Sequence, residues 1–182
     1  MEKIRHIQYA IVDRLSHPQV IREEIDRMLE NVARLSEAAA LATSNALIDE
    51  LVSHGELMST LLFVEILRER HISAERFDVR KIMRTNDRFG RAEPDCDTLG
   101  ALTRSQLQPR LAESLIITQG FIGSEAKGRT TAPGRGGSDY TAALLGEALN
   151  VDRIDIWTDV PGIYTTDPRV VPTAHRIDQI TF

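Results

Sequence analysis

The chain has 182 residues, 42% hydrophobic and 27% charged, enough apolar material for a folded core and too much for a disordered or fibrous chain. A net charge of -5 provides no overall basic field, which argues against nucleic acid or an anionic membrane surface as the main partner. The single cysteine, Cys96, cannot close an internal disulfide, and no apolar run reaches membrane-spanning length, so a reducing cytoplasm is the expected compartment.

In chain order, Ile4, Ile7, Ile11 and Leu15 form the stripe of an amphipathic helix from Glu2 to about Ser16. Pro18 suits the first turn of a second helix, whose face of Ile21, Ile25, Met28, Val32 and Leu35 runs to about Ala42. Ser44 is placed to cap a third, carrying Leu47, Leu51, Leu57, Leu61, Leu62 and Ile66 as far as Arg70. Beyond it, "ISAERFDV" reads as a strand and the polar "RTNDRFGRAEPDCD" as a long loop. A helix is expected from about Thr98 to Ala112, a buried strand in "SLIITQGFIG", a helix from about Ser138 to Leu149 and a strand in "RIDIWTDV". This alternation predicts an α/β fold with a mostly parallel sheet.

The stretch "GRTTAPGRGGSDYTAALLGEAL" joins a glycine-rich loop to the last helix. Glycines there let a backbone approach a ligand closely. Ser138 can cap the helix, the helix start favours an anion, and Arg135 offers a planar fork for a carboxylate or phosphate. A surface loop with a capped helix is the plain alternative. The spacing matches neither the phosphate-loop nor the dinucleotide fingerprint. Asp139, an acid at an anion site, points to a metal ion, a substrate ammonium or a neighbouring lysine. Downstream, "WTDVPGIYTTDPRV" follows a predicted strand, where open α/β sheets bind ligands; two ordinary turns would give the same pattern.

These segments, with "SEAAALATSNALIDELVSHGELMSTLLFVEILRER" and "FDVRKIMRTNDRFGRAEPD", closely resemble the aspartokinases of the lysine-sensitive bacterial type, in the amino-acid kinase superfamily. The resemblance covers essentially the whole chain and implies a three-layer α-β-α sandwich. It implies phosphoryl transfer from ATP, with Mg2+, to the side-chain carboxylate of L-aspartate, giving 4-phospho-L-aspartate. A carboxylate with a pKa of about 3.9 is already ionised at neutral pH, so no general base is required.

Carried over by position, Arg135 and Ser138 hold the aspartate, Glu56 meets its ammonium, and Asp139 organises the phosphoryl-transfer site. Thr158, Asp159, Tyr164 and Arg169 contact the nucleotide. No residue is expected to bind metal directly; Mg2+ enters with ATP. Phe121 and Gly123 would shape the substrate wall, a place in the core being the plain alternative for Phe121. His54 and Glu56, two apart on a helix, face different ways and make a poor metal pair; His6, His17, His71 and His175 show no ligand spacing.

The sequence departs from the family in three ways. It lacks the initial strand and Lys-Phe-Gly-Gly-Thr-Ser loop, and the family continues past "RIDQITF" into further nucleotide contacts and two regulatory ACT modules. Of the 22 basic residues only Lys3, Lys81 and Lys127 are lysine, none at a matching catalytic position. Pro133 stands where the family usually has leucine. The expectation is therefore an incomplete sandwich: the central part of one catalytic domain, 1–70 mainly helical and 71–182 α/β, inactive alone and homo-oligomeric when intact. The alternatives are a glutamate or N-acetylglutamate kinase, or a noncatalytic nucleotide-binding or structural piece.

Overall fold

A computed structural model describes residues 1–134, 136–158 and 162–180. They divide into two units, Met1–Asp152 and Arg153–Phe182.

The first unit opens with α1 (Glu2–Val12), α2 (Pro18–Leu41) and α3 (Asn45–Glu69). Pro18 occupies the first turn of α2, and Ser44 caps α3 by accepting from the Leu47 amide at 3.2 Å. Val12, Leu15, Ile21, Ile25, Leu29, Met58, Leu61 and Leu62 form one core between these helices. Ile25 and Leu29 are wholly buried, each contributing about 1.5–3 kcal/mol by leaving water. Of the stripe read from the sequence, only Leu15 reaches the core: Ile4, Ile7 and Ile11 are exposed, while Tyr9 and Val12 pack with Leu15 on the inner side. α1 presents apolar groups on two sides, and periodicity alone does not choose between them.

β1 (Ala74–Phe77) pairs in parallel with β2 (Leu115–Thr118), in a register running from Ala74 opposite Leu115 to Phe77 opposite Thr118. β1 is shorter than expected because Asp78 accepts from the Arg80 amide at 3.1 Å and starts a 3-10 turn over Val79–Lys81. β2 is not the buried strand anticipated. Leu115 is half exposed and Ile116 to Thr118 are half-buried, since β1 is the only strand beside it among the described residues.

A short antiparallel pair, β3 (Gly123–Ser124) with β4 (Thr130–Thr131), was not foreseen and makes the strand content mixed rather than mostly parallel. Its turn is tied by Glu125, whose carboxylate accepts from the amides of Lys127 at 2.9 Å and Arg129 at 3.0 Å. The helix expected from Thr98 starts earlier, as α4 (Cys96–Leu102), because Asp95 caps it by accepting from the Thr98 amide and hydroxyl. It then changes pitch through a π turn (Thr103–Leu107) and a 3-10 turn (Gln108–Ala112). Pro109, without an N–H, is incompatible with a continued α-helical ladder. α5 (Gly137–Leu149) ends where Asn150 turns left-handed, φ 51°. A second core of Phe77, Val79, Ile82, Met83, Leu99, Leu107, Ile122 and Leu144 lies among these elements.

The second unit departs most from expectation. Residues 153–158 form no strand; Ile154 and Ile156 are half exposed and Trp157 is 94% exposed. Alternating β-formers become a strand only where a neighbour accepts their ladder bonds, and no described strand of this unit lies alongside. Its order comes from a hairpin-like crossing in which Tyr164 bridges Arg176, with the Ile177 amide donating to the Ile163 carbonyl at 2.8 Å. Among the described residues no helix is long and apolar enough to cross a membrane.

Candidate active site

One face of α3 organises the first unit. Asp49, Glu56 and Thr60 are seven and eleven residues apart, near-integral numbers of helical turns, so all three share a stripe. Asp49 is 2% exposed, and its Oδ2 accepts from the amides of Gly90 at 2.8 Å and Ala132 at 2.9 Å. Burial pushes its carboxyl upward, and the two amides pull it back. At the other end, Thr60 Oγ1 accepts from Gln119 Nε2 at 2.9 Å and donates to the Glu56 carbonyl at 2.8 Å. Gln119 is 1% exposed, and its Oε1 accepts from the Val79 amide at 3.0 Å.

Glu56 lies between these two anchor points, half-buried. Burial raises its pKa, and among the described residues its carboxylate has neither an ion pair nor a hydrogen bond. His54 is turned elsewhere: its Nδ1 donates to the Glu50 carbonyl at 2.8 Å, leaving Nε2 to accept from Asn31 at 3.1 Å.

The segment after β2 packs on the start of α5. A Cβ on Gly120 would stand 3.0 Å from Ser138 Cα, and one on Gly137 would stand 2.7 Å from Pro133 Cγ and 2.9 Å from Phe121 Cδ2. Between them Phe121 holds φ 66°, a left-handed backbone that costs a non-glycine residue roughly 1–3 kcal/mol. Its amide donates to Thr141 Oγ1 at 3.2 Å, and that hydroxyl donates to the Gly137 carbonyl at 2.7 Å. The loop, Phe121 and the helix start therefore form one fitted piece.

Ser138 is not the cap of α5. Gly136, at φ 79°, takes that place, no side chain caps the helix, and Ser138 and Asp139 stand exposed in its first turn. The tight left-handed entry favours glycine there and leaves serine two residues inside the helix. The Gly137 amide donates to the Gly134 carbonyl at 3.1 Å, and the positive dipole end of the helix, without a side-chain cap, favours an anion. Pro133 is half-buried against Gly137, and Gly123 is packed on the Met83 carbonyl, where a Cβ would come within 2.7 Å. Lys127 is exposed in the β3–β4 turn. Arg135 and Asp159 lie outside the described residues.

In the second unit Thr158 is exposed and Tyr164 half-buried. Arg169 is exposed and forks onto Asp167, Nη2 to Oδ2 at 3.0 Å and Nε to Oδ1 at 3.1 Å, which holds the Asp167 carboxyl below its usual range. Among the described residues no group of three or more His, Cys, Asp or Glu side chains could hold a metal ion.

A model of the amino acid kinase family matches residues 4–182. The chain belongs to that family. Over all 182 residues this kinase-family chain is 73% identical to lysine-sensitive aspartokinase 3 of Escherichia coli (strain K12), spanning 40% of that protein. It is 39% identical over 136 residues, 74% of this chain and 29% of the relative, to the aspartokinase of Rickettsia prowazekii (strain Madrid E).

Among solved structures, E. coli aspartokinase III in complex with aspartate and ADP (R-state) matches with a TM-score of 0.94 at 74% identity, over 97% of this chain and 40% of that one. The same enzyme with lysine and aspartate (T-state) gives 0.89, over 98% and 40%. The mixed helices and strands of the described residues are those of an amino-acid kinase α/β sandwich.

Sequence reasoning singled out Glu56, Ser138 and Asp139 as candidates but passed over Asp49, Gln119 and Thr141, which hold the surrounding loops. The polar stripe Asp49, Ser53, Glu56 and Thr60, spaced three and four apart on a helix whose other positions are largely apolar, was the available signal for Asp49.

Proposed function

We propose that this chain forms part of an ATP-dependent aspartate kinase and carries its amino-acid side. The observation behind this reading is Glu56, a half-buried carboxylate with no cation among the described residues, set between two anchored loops. Such a group suits a ligand ammonium, because leaving a buried charge uncompensated is costly. In support, its relatives are named aspartokinases, and a matching structure was solved with aspartate and ADP.

In this reading Glu56 receives the ammonium of L-aspartate and Arg135, with Ser138, its α-carboxylate. An oxygen of the side-chain carboxylate attacks the γ-phosphorus of ATP; the new O–P bond forms as the bond to the β,γ-bridging oxygen breaks, and ADP leaves. The nucleophile arrives ionised, so catalysis consists of positioning two anions and neutralising charge. The start of α5 would face the anion, and Asp139 in its first turn would orient a neighbouring lysine or the shell of the phosphate-bound Mg2+. The described residues offer no metal-holding cluster of their own, which fits an Mg2+ that enters with ATP rather than one the chain binds directly. Mg2+ would neutralise phosphate charge there. Thr158, Asp159, Tyr164 and Arg169 contact the nucleotide, Arg169 from an exposed guanidinium that Asp167 steadies through Nε and Nη2. A cytoplasmic homo-oligomer belongs to the same reading.

Trapping acyl phosphate with hydroxylamine tests it, using L-aspartate, L-glutamate and N-acetyl-L-glutamate with this chain and with the longest gene product containing it. Hydroxamate formed from aspartate alone, in that longer product, is expected. A preference for either other acceptor, or no product from any, would contradict the proposal.

A further inference from the structure

The most deeply buried carboxylate on the α3 stripe is Asp49, which takes no part in the chemistry described above. It joins three segments far apart in the chain: its own helix, Gly90 and Ala132. The two loops are also joined directly, because the Ala92 amide donates to the Ala132 carbonyl at 3.0 Å. Gly134, at φ 85°, approaches so closely that a Cβ would lie 2.9 Å from the Gly90 carbonyl oxygen. Ala132 to Gly134 are the stem leading into Arg135 and the start of α5.

We infer that Asp49 is a positioning residue for amino-acid recognition, fixing the stem of the glycine loop to the same face of α3 that carries Glu56. The inference rests on reading Glu56 as the ammonium site. Two ligand contacts on different segments bind one small molecule well only if the distance between them is held, and Asp49 is the hydrogen-bonded link from the α3 stripe to the stem. A carboxylate can accept both amides at one oxygen, and charge makes each bond stronger than its neutral counterpart. An amide in its place would keep the geometry with weaker bonds; a methyl would lose both.

Asp49→Ala and Asp49→Asn are compared with the parent in the longest gene product containing this chain. KM for L-aspartate should rise about tenfold in the alanine variant and about threefold in the asparagine variant, with KM for ATP within about twofold. Hydrogen exchange gives a readout independent of activity: peptides covering 89–92 and 130–134 should exchange faster, in the same order, while α1 and α2 peptides stay unchanged. If the alanine variant does not fold, the asparagine variant decides by the same two measurements. Unaltered exchange in both loops, or equal rises in both KM values, would overturn the inference. A parent protein that does not phosphorylate aspartate defeats the functional reading instead, while the exchange result still stands or falls separately.

Discussion

Gln119 Nε2 donates to Thr60 Oγ1 at 2.9 Å, and the same hydroxyl donates to the Glu56 carbonyl at 2.8 Å, so the end of β2 is joined to the helical turn that presents Glu56. Gln119 also satisfies the amide of Val79, a residue with no exposed surface. Gln119→Leu keeps the bulk but leaves that buried N–H without a partner, which costs about 1–3 kcal/mol. The urea midpoint should fall by the corresponding amount at an unchanged slope.

The close packing at the start of α5 separates two adjacent glycines. Gly137→Ala would drive a methyl into Pro133 and Phe121, and overpacking of this kind costs about 1–3 kcal/mol. Gly136→Ala meets open space and pays only for a left-handed backbone, roughly 1–2 kcal/mol. Thermal unfolding of the two variants, with near-ultraviolet dichroism to report tertiary packing, should show altered packing for Gly137→Ala alone.

Glu125 gives a pH dependence with a defined sign. Amide donation from Lys127, followed by the Arg129 amide and guanidinium, pulls its carboxyl from 4.5 to about 2. Because the folded value is depressed, its contribution is complete above the unfolded value and is lost as pH falls from about 4.5 toward 2. Glu125→Gln should therefore be less stable than the parent at pH 7, and the gap should close on acidification through that window. Denaturant titrations at pH 7, 4 and 3 would measure it.

How much of this was legible beforehand varies with the kind of force involved. Helices α2 and α3 were readable nearly to the residue because Pro18 and Ser44 mark their starts and a repeating apolar face runs through each. Long-range pairing was not. The β3–β4 hairpin depends on Glu125 gripping its own turn, and the missing strand at 153–158 depends on what lies alongside. Glu56 and Asp139 stood in readable motifs, whereas Asp49 and Gln119 reveal their roles only through partners distant in sequence. The misplaced cap at Ser138 shows the same limit locally: both Gly136 and Ser138 suit a helix start, and the left-handed backbone at Gly136 decided between them.

The central claim is that Glu56 receives the ammonium of L-aspartate. Burial raises its pKa above the ordinary carboxylate value, so its ionised form costs stability at neutral pH. Glu56→Gln should consequently leave the thermal midpoint unchanged or higher while impairing function. The decisive measurement is steady-state kinetics of the longest gene product containing this chain, with and without that substitution. KM for L-aspartate should rise about tenfold or more, as expected for a lost charge-assisted contact, with KM for ATP within about twofold. An unchanged aspartate KM in a folded Glu56→Gln protein would contradict the account.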